Sequence, residues 1–331
     1  MKILPGPLLQ ERTSLRMGGR AQVEVCIQKP GDWEELGPFL EREGLRPLIL
    51  GRGSNLLVQD GDLPLCLVIP QAEIGPQLIA KDQEQYVVRV SAGYSLFALL
   101  RWLRDRGLAG LEGLVGIPAQ VGGAVAMNAG SFGQSMGDCL HRVRCWSPKS
   151  GLVWLDGSQV LCTYRSFQPH VLEEGWVIHE VELALSPIGA QVVGQRMQDF
   201  WDRKRRTQPV GEKTCGCTFK NPEQNPAGLL LDRCGMRGEQ VGDVGFSMMH
   251  ANFLINRGNG SFAQAWELIS QARARIRDRY GVNLELEVQV VDPLSALPPA
   301  NQTCSLPSSG QTKGSSRLIE KETCNLVSRG E

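Results

Sequence analysis

The chain has 331 residues and balances 35 Lys+Arg against 35 Asp+Glu, which leaves no electrostatic footprint for nucleic acid. No apolar run approaches the roughly 18 residues of a membrane helix, and Met1–Pro7 lacks an export signal, so a cytoplasmic protein is expected. The ten cysteines then read as reduced thiols, and the length predicts two or three domains.

Asp32–Gly44 carries helical spacing. Asp32 is placed to cap it, Glu35 completes a capping box, and Trp33, Leu36 and Leu40 share a face. Pro38 inside it predicts a kink or an early end. Pro47–Leu50 reads as a short buried strand ending in Gly51-Arg52-Gly53-Ser54-Asn55. A strand followed by Gly-x-Gly-Ser offers backbone N–H groups and a hydroxyl to a phosphate. The third glycine and following helix of the dinucleotide fingerprint are missing. Leu65–Ile69 and Tyr86–Ala92 are further strands. Ser95–Arg106 is a helix with Leu96, Leu99, Leu100 and Leu103 on one face and Gly107 as its stop.

Leu111–Gly133 is glycine-rich and almost uncharged. It is either a buried turn between core strands or a backbone that must come close to something flat or charged. Arg142–Trp146 and Trp176–Leu185 are strands. His179, on an apolar face, reads as a packing residue rather than a ligand. Ala190–Arg206 is a helix with Val193, Met197, Phe200 and Trp201 inward. Its closing Arg203-Lys204-Arg205-Arg206 reads as a solvated cluster that compensates the helix dipole; the alternative is a place near a diphosphate. Cys215-Gly216-Cys217 has no second pair at matching spacing, so no metal is expected. Leu229–Met236 is helix-like, Gly235–Gly245 reads as loop, and His250–Asn256 opens a strand. Ser261 caps the strongest helix, with Phe262, Trp266, Ile269, Ala272, Ile276 and Tyr280 on one side. Leu284–Val291 alternates, with Leu284, Leu286, Val288 and Val290 facing one way and Glu285 and Glu287 the other. Residues 293–331 lack apolar periodicity and are expected to be disordered.

Five ordered motifs resemble one family. They are Gly51–Leu57 (GRGSNLL), Gly116–Gly133 (GIPAQVGGAVAMNAGSFG), Gly216–Pro222 (GCTFKNP), His250–Phe253 (HANF) and Leu284–Val288 (LELEV). Together they are similar to the UDP-N-acetylenolpyruvoylglucosamine reductases, the MurB flavoenzymes of peptidoglycan synthesis, from about Thr13 to Val291. The resemblance implies an α+β architecture: a two-part FAD-binding domain of the vanillyl-alcohol-oxidase/PCMH type followed by a C-terminal α+β substrate-binding domain. The expected division is residues 1–71 and 72–195 for the two flavin-binding parts, 196–292 for the substrate domain and 293–331 for the tail.

The resemblance also implies the chemistry. The enzyme would use non-covalent FAD, with NADPH as reductant, to convert UDP-N-acetylglucosamine enolpyruvate to UDP-N-acetylmuramate. Reducing an enolpyruvyl ether takes a hydride at one carbon and a proton at the other. By the family pattern Cys217 gives the proton, Arg165 of a Tyr-Arg pair binds the substrate carboxylate, and Glu287 stabilises the developing enol or relays the proton. A guanidinium suits a carboxylate because it is always charged and can bind it bidentately. A thiol near its ordinary pKa of about 8.5 is an easier proton donor than a hydroxyl. Gly51, Gly53, Ser54, Asn55, Gly122, Gly123 and Asn128 would form the flavin cradle, and Lys220 and Asn221 would hold the nucleotide sugar. Two positions depart from the pattern: Arg12 stands where the family has asparagine, and Ala119 where it commonly has glycine. The short stretch between Val181 and Gly216 favours the shorter of the family's two subtypes. A monomer is expected, with a small-molecule partner and no membrane or nucleic acid. The rival readings are a different flavin oxidoreductase of the same superfamily acting on a small alcohol or hydroxy acid, and an inactive descendant that keeps a nucleotide only to bind it.

Overall fold

The computed structural model describes residues 1–71, 74–82, 84–173, 175–223 and 225–292. The expected disordered tail lies outside them. Three sheets organise the chain. The first has four strands in the order Lys2–Pro5, Arg20–Ile27, Asp62–Pro70, Arg46–Ile49. The last three run parallel, in a register that sets Val25 opposite Val68 and Leu48 opposite Leu67. Helix α1 (Asp32–Glu43) covers this sheet with Trp33, Leu36 and Phe39. Trp33 stacks on Trp146 at 5.4 Å, so the same cluster reaches the second sheet.

Two expectations about α1 need correction. Gly31, not Asp32, precedes the helix, and no side chain caps it. The Asp32 carboxylate instead accepts from the backbone of Gln28 at 2.8 Å and from the Met1 amino group at 2.8 Å. Glu35 meets that amino group rather than closing a capping box. The helix also runs unbroken through Pro38. Both Glu34 and Pro38 are exposed, so the carbonyl that loses its partner faces water.

The second sheet is antiparallel, in the order Gly151–Asp156, Leu140–Ser147, Val177–Pro187, Tyr86–Ser91, Gln77–Lys81, with Leu108–Ala109 also paired to Val177–Pro187. Helix α2 (Leu96–Asp105) packs on it through Leu96, Leu99, Leu100 and Leu103, and Ser95 caps it as expected. His179 is buried in this sheet; its Nδ1 accepts from the Trp33 indole at 3.3 Å, the packing role its apolar face predicts. The glycine-rich stretch folds into a short helix, α3 (Val121–Ala126), and leads to the one-turn α4 (Met136–Cys139).

Helix α5 (Ala190–Thr207) leads into the third sheet, ordered Thr214–Cys217, Phe253–Asn256, Val244–Phe246, Gln240–Val241. Gly235–Gly245, expected to be loop, therefore contributes to a hairpin that turns at Gly242, whose φ is +55°. Helices α6 (Ala227–Arg233) and α7 (Phe262–Tyr280) complete the layer; Ser261 and Gln264 form the capping box of α7. Ala265, Leu268, Ile269, Ala272 and Ile276 are its buried face, while Phe262 and Trp266 stack at its edge.

The closing segment is not the single alternating strand its sequence predicts. Leu286 bridges Phe219, and the backbone N–H groups of Glu287 and Val288 both donate to the Thr218 carbonyl. Three residues later Gln289–Val291 pairs in parallel with Leu56–Val58, beside the first sheet. One extended segment thus changes partners midway, because it must leave the third sheet to reach the first part of the chain. Glu287 sits at the changeover.

Candidate active site

Three distant stretches bring Arg165, Cys217 and Glu287 together. Strands Val160–Thr163 and Ser166–Pro169 form a tight hairpin with Tyr164 and Arg165 at its tip. Arg165 is held there at φ +55°, a region L-residues adopt at a cost. Asn128 fixes the hairpin: its Nδ2 donates to the Thr163 carbonyl at 2.8 Å, and its Oδ1 accepts from Gly137 at 2.8 Å. The Arg165 Nε donates to the Glu287 carboxylate at 2.5 Å. Among the described residues this is the only hydrogen bond of Arg165, so both Nη groups remain for a ligand.

Glu287 is largely buried with that one side-chain partner. Burial raises its pKa above 4.5, and the Arg165 charge only partly opposes this. Cys217 ends its strand opposite Phe253. Burial first, and the Glu287 carboxylate second, push its thiol up to about 12; Arg165 and the Asn252 side chain act the other way. The unperturbed thiol pKa assumed from sequence does not survive this surrounding.

The residues expected to hold the flavin fall in the Gly51–Asn55 loop and in α3 with the turn after it, both tied to this centre. Gly53 has φ +59°, and a Cβ there would lie 2.4 Å from the Arg12 carbonyl. Arg12, the departure noted above, pairs with the buried Glu24 at 2.8 Å. Asn55 Nδ2 donates to the Glu287 carbonyl at 3.0 Å, tying the Gly51–Asn55 loop to the centre. Gly51 is exposed and Ser54 half-buried. Gly122 is wedged against Ala92, while Gly123, one residue on, has nothing within 4 Å of where a side chain would begin.

Lys220 and Asn221 leave the third sheet beside Tyr164. The Tyr164 hydroxyl accepts from the Asn221 backbone N–H at 3.4 Å. The Asn221 side chain accepts from Ala227 at the start of α6. Lys220 Nζ is 3.5 Å from Glu285.

Comparison with known proteins follows this geometry. Residues 21–156 match the model of an FAD binding domain, and residues 208–291 match that of a UDP-N-acetylenolpyruvoylglucosamine reductase C-terminal domain. The reductase of that name from Oleidesulfovibrio alaskensis is 44% identical over 291 residues, 87% of this chain and 97% of its own. The Bacillus subtilis reductase is 32% identical over 290 residues, 88% of this chain and 94% of its own. The chain belongs to the UDP-N-acetylenolpyruvoylglucosamine reductase family. The crystal structure of the reductase from Thermus caldophilus superimposes with a TM-score of 0.73 at 32% identity, covering 88% of this chain and all (100%) of the other.

The cofactor of this reductase family is FAD, and the fold is the expected two-part flavin-binding domain with an α+β substrate domain. The residues fit the group. Gly123 and Gly51 leave backbone uncovered, and Gly53 holds a turn that no side chain could share. Among the described residues no group of three or more His, Cys, Asp or Glu side chains is placed to hold a metal, and no helix is long and apolar enough to cross a membrane.

Two residues that sequence reasoning passed over adjoin this candidate site. Asn252 is buried, and its side-chain amide exchanges hydrogen bonds with both backbone groups of Phe219, at 3.0 and 2.8 Å. Its own carbonyl accepts from Thr218. It thereby fixes the strand end that carries Cys217. An asparagine inside an apolar strand entry was the available signal. Lys204 is the second and corrects the reading of the basic cluster. It is buried, with its ammonium on the carbonyls of Gly113 and Val115, whereas Arg203, Arg205 and Arg206 are exposed.

Proposed function

We infer that this chain reduces UDP-N-acetylglucosamine enolpyruvate to UDP-N-acetylmuramate, with NADPH as reductant. The observation that carries the reading is the convergence of Arg165, Cys217 and Glu287 from three stretches beside the flavin-side loops. The Gly51–Asn55 and Gly122–Asn128 segments would hold FAD, which would supply the hydride chemistry between NADPH and the enolpyruvyl double bond. The protein's part is position, charge and one proton.

The two Nη groups of Arg165 receive the substrate carboxylate. Glu287 holds the guanidinium in that orientation through Nε. Positive charge at the carboxylate stabilises electron density that develops on it as the double bond is saturated. Cys217 carries its proton at neutral pH, because burial and Glu287 hold the thiol at about 12. It donates that proton to the carbon that does not receive the hydride. The thiolate left behind is favoured by Arg165 and the Asn252 side chain.

The same reading assigns the cofactor contacts to Gly51, Gly53, Ser54 and Asn55 with Gly122, Gly123 and Asn128, and the nucleotide sugar to Lys220 and Asn221. The uncovered backbone at Gly123 supports the first set most directly. Asn55 and Asn128 act mainly by holding Glu287 and the Arg165 hairpin. We divide the chain at residues 71 and 195, since the three sheets lie within 2–70, 77–187 and 214–256. A monomeric, cytoplasmic enzyme completes the proposal, in keeping with a soluble nucleotide-sugar substrate.

The test is anaerobic. The purified flavoprotein is bleached with NADPH and then mixed with UDP-N-acetylglucosamine enolpyruvate. Prompt return of the flavin absorbance is expected. A flavin that stays bleached would discard this substrate, and a protein that takes up no FAD would leave only the inactive descendant. Cys217→Ala should bleach normally and return more slowly by about a thousandfold. Reoxidation at the normal rate would remove Cys217 from the chemistry.

A further inference from the structure

Lys204 is a buried charged group beside the centre that the mechanism leaves unused. It lies in the last turn of α5 and is 3% exposed. Its Nζ donates to the Gly113 carbonyl at 3.2 Å and the Val115 carbonyl at 2.7 Å. Trp201, one turn earlier, lies over Gly116, where a Cβ would come within 2.7 Å of the indole. Phe132 stacks on Phe200 at 4.8 Å and offers its face to Lys204 at 5.5 Å. The end of α5 is thus fastened to the start of the glycine-rich stretch.

The charges around Lys204 do not balance it. Among the described residues no carboxylate lies within ion-pair distance of its Nζ. Glu112, on the adjoining turn, is occupied by Gly110, Gln134 and Arg196. Glu287 is occupied by Arg165. Arg203, on the same helix, shares the Phe132 ring and adds positive charge. Arg165 itself is near enough for its charge to act on Lys204. Lys204 and Arg165 are thus two largely buried cations, and neither Glu112 nor Glu287 pairs with Lys204. A buried charge is retained where something compensates it, and an anion held by the Arg165 Nη groups, which make no hydrogen bond among the described residues, would compensate both.

We propose that Lys204 is a positioning residue for the substrate carboxylate: it anchors the 113–116 turn and adds a second positive charge beside Arg165 that holds the anionic end of the ligand. This rests on reading Arg165 as the carboxylate's direct partner. Lys204 acts through the field and the turn, not by contact. Burial, and after it the Arg165 charge, lower Lys204 to about 8, so its charge can be removed by pH alone. Cys217 and Cys215 are held near 12, and Tyr164 is raised above its ordinary 10, so none of these titrates in the same range.

The experiment is calorimetric titration of the FAD-loaded enzyme between about pH 7 and about pH 9.5. Two probes are used: UDP-N-acetylmuramate, which carries the carboxylate, and UDP-N-acetylglucosamine, which does not. Wild-type affinity for the first should fall about tenfold across the range, and affinity for the second should stay level. Lys204→Arg should abolish the fall, since a guanidinium keeps its charge, and this also separates Lys204 from any titration of Glu287. Lys204→Met should bind the carboxylate ligand about tenfold more weakly at every pH. A level wild-type profile, an unchanged fall in Lys204→Arg, or equal effects on both probes would overturn the proposal. Should Lys204→Met lose its flavin absorbance, the comparison of wild type with Lys204→Arg decides alone. Arg165→Met tests the underlying reading separately. If it keeps the full preference for the carboxylate ligand while the Lys204 profile persists, Arg165 is not that ligand's partner.

Discussion

Two regions of the molecule bury a glutamate beside an arginine and give it opposite properties. In the second sheet Glu180 lies 3.1 Å from Arg144 and 3.2 Å from His179. Its pKa is lowered, by His179 first and Arg144 after it. At the active site Glu287 meets Arg165 at a shorter 2.5 Å, yet its pKa is raised. The two side chains are similarly buried, at 9% and 13% exposure. An arginine is common to both, so it does not decide the direction. The balance against burial does: at Glu180 the His179 contact outweighs burial, whereas at Glu287 burial outweighs Arg165. Glu112 extends the rule, since Gly110, Gln134 and Arg196 together lower it despite the burial that would raise it. A carboxylate left short of donors is the mark of a site that completes itself with a ligand.

Removing the charges separately breaks the comparison most sharply. Glu287→Gln should keep the fold and FAD while turnover falls by about a hundredfold to a thousandfold, because Arg165 loses its orienting charge. Glu112→Gln should do the reverse, leaving turnover intact and costing about 2 kcal/mol in urea unfolding. The pH window follows from the direction of the shift. Glu112 and Glu180 titrate lower in the folded protein than in the unfolded chain. Their stabilisation is therefore in place above about pH 4.5 and is lost as pH falls through their folded pKa. Acid unfolding of Glu112→Gln should converge with wild type in that range. A Glu287→Gln enzyme with normal turnover would make both glutamates structural.

Much of this contrast was legible in the chain itself, and the gaps have physical reasons. Spacing alone located α2, α7 and three of the six strands of the second sheet, where one face is buried and period and burial agree. It failed at Leu284–Val291, because alternation does not reveal that a segment changes partners halfway. It failed at Asp32 because a carboxylate before an apolar run suits a cap and an ion pair equally, and Met1 supplied the pair. Arg165, Cys217 and Glu287 were readable through motif resemblance, never through pattern. Lys204 was missed because a basic run at a helix end looks solvated unless the surface opposite is known, and Gly113 and Val115 lie far away in sequence.

A second contrast lies within two adjacent glycines. A methyl at Gly122 would stand 2.7 Å from the Ala92 Cβ, so Gly122→Ala should lose about 1–3 kcal/mol of stability. A methyl at Gly123 would meet nothing within 4 Å, so Gly123→Ala should fold as well as wild type or gain up to about 1 kcal/mol. If Gly123 lies against the cofactor, the same methyl should weaken FAD about tenfold, read by flavin fluorescence on reconstitution. Unchanged FAD affinity in Gly123→Ala would take that glycine out of the cradle.

The smallest effect sharpens the comparison at the rim. Lys220 and Glu285 form the more open counterpart of the Arg165–Glu287 pair, 3.5 Å apart, with Lys220 half-buried and Glu285 64% exposed. Water screens such a pair, so breaking it should cost no more than about 0.5 kcal/mol in either variant. The two residues then differ only in what they do for a ligand. Lys220→Ala should raise KM for the enolpyruvyl nucleotide by about threefold to tenfold with little change in kcat, since a half-buried ammonium at the rim contributes binding and not chemistry. Glu285→Ala should leave KM where it is, because the lysine keeps its charge and its backbone bond to the Glu285 carbonyl. Equal rises in KM would mean that the pair, rather than the ammonium, shapes the rim; no rise in either would move the nucleotide sugar away from Lys220.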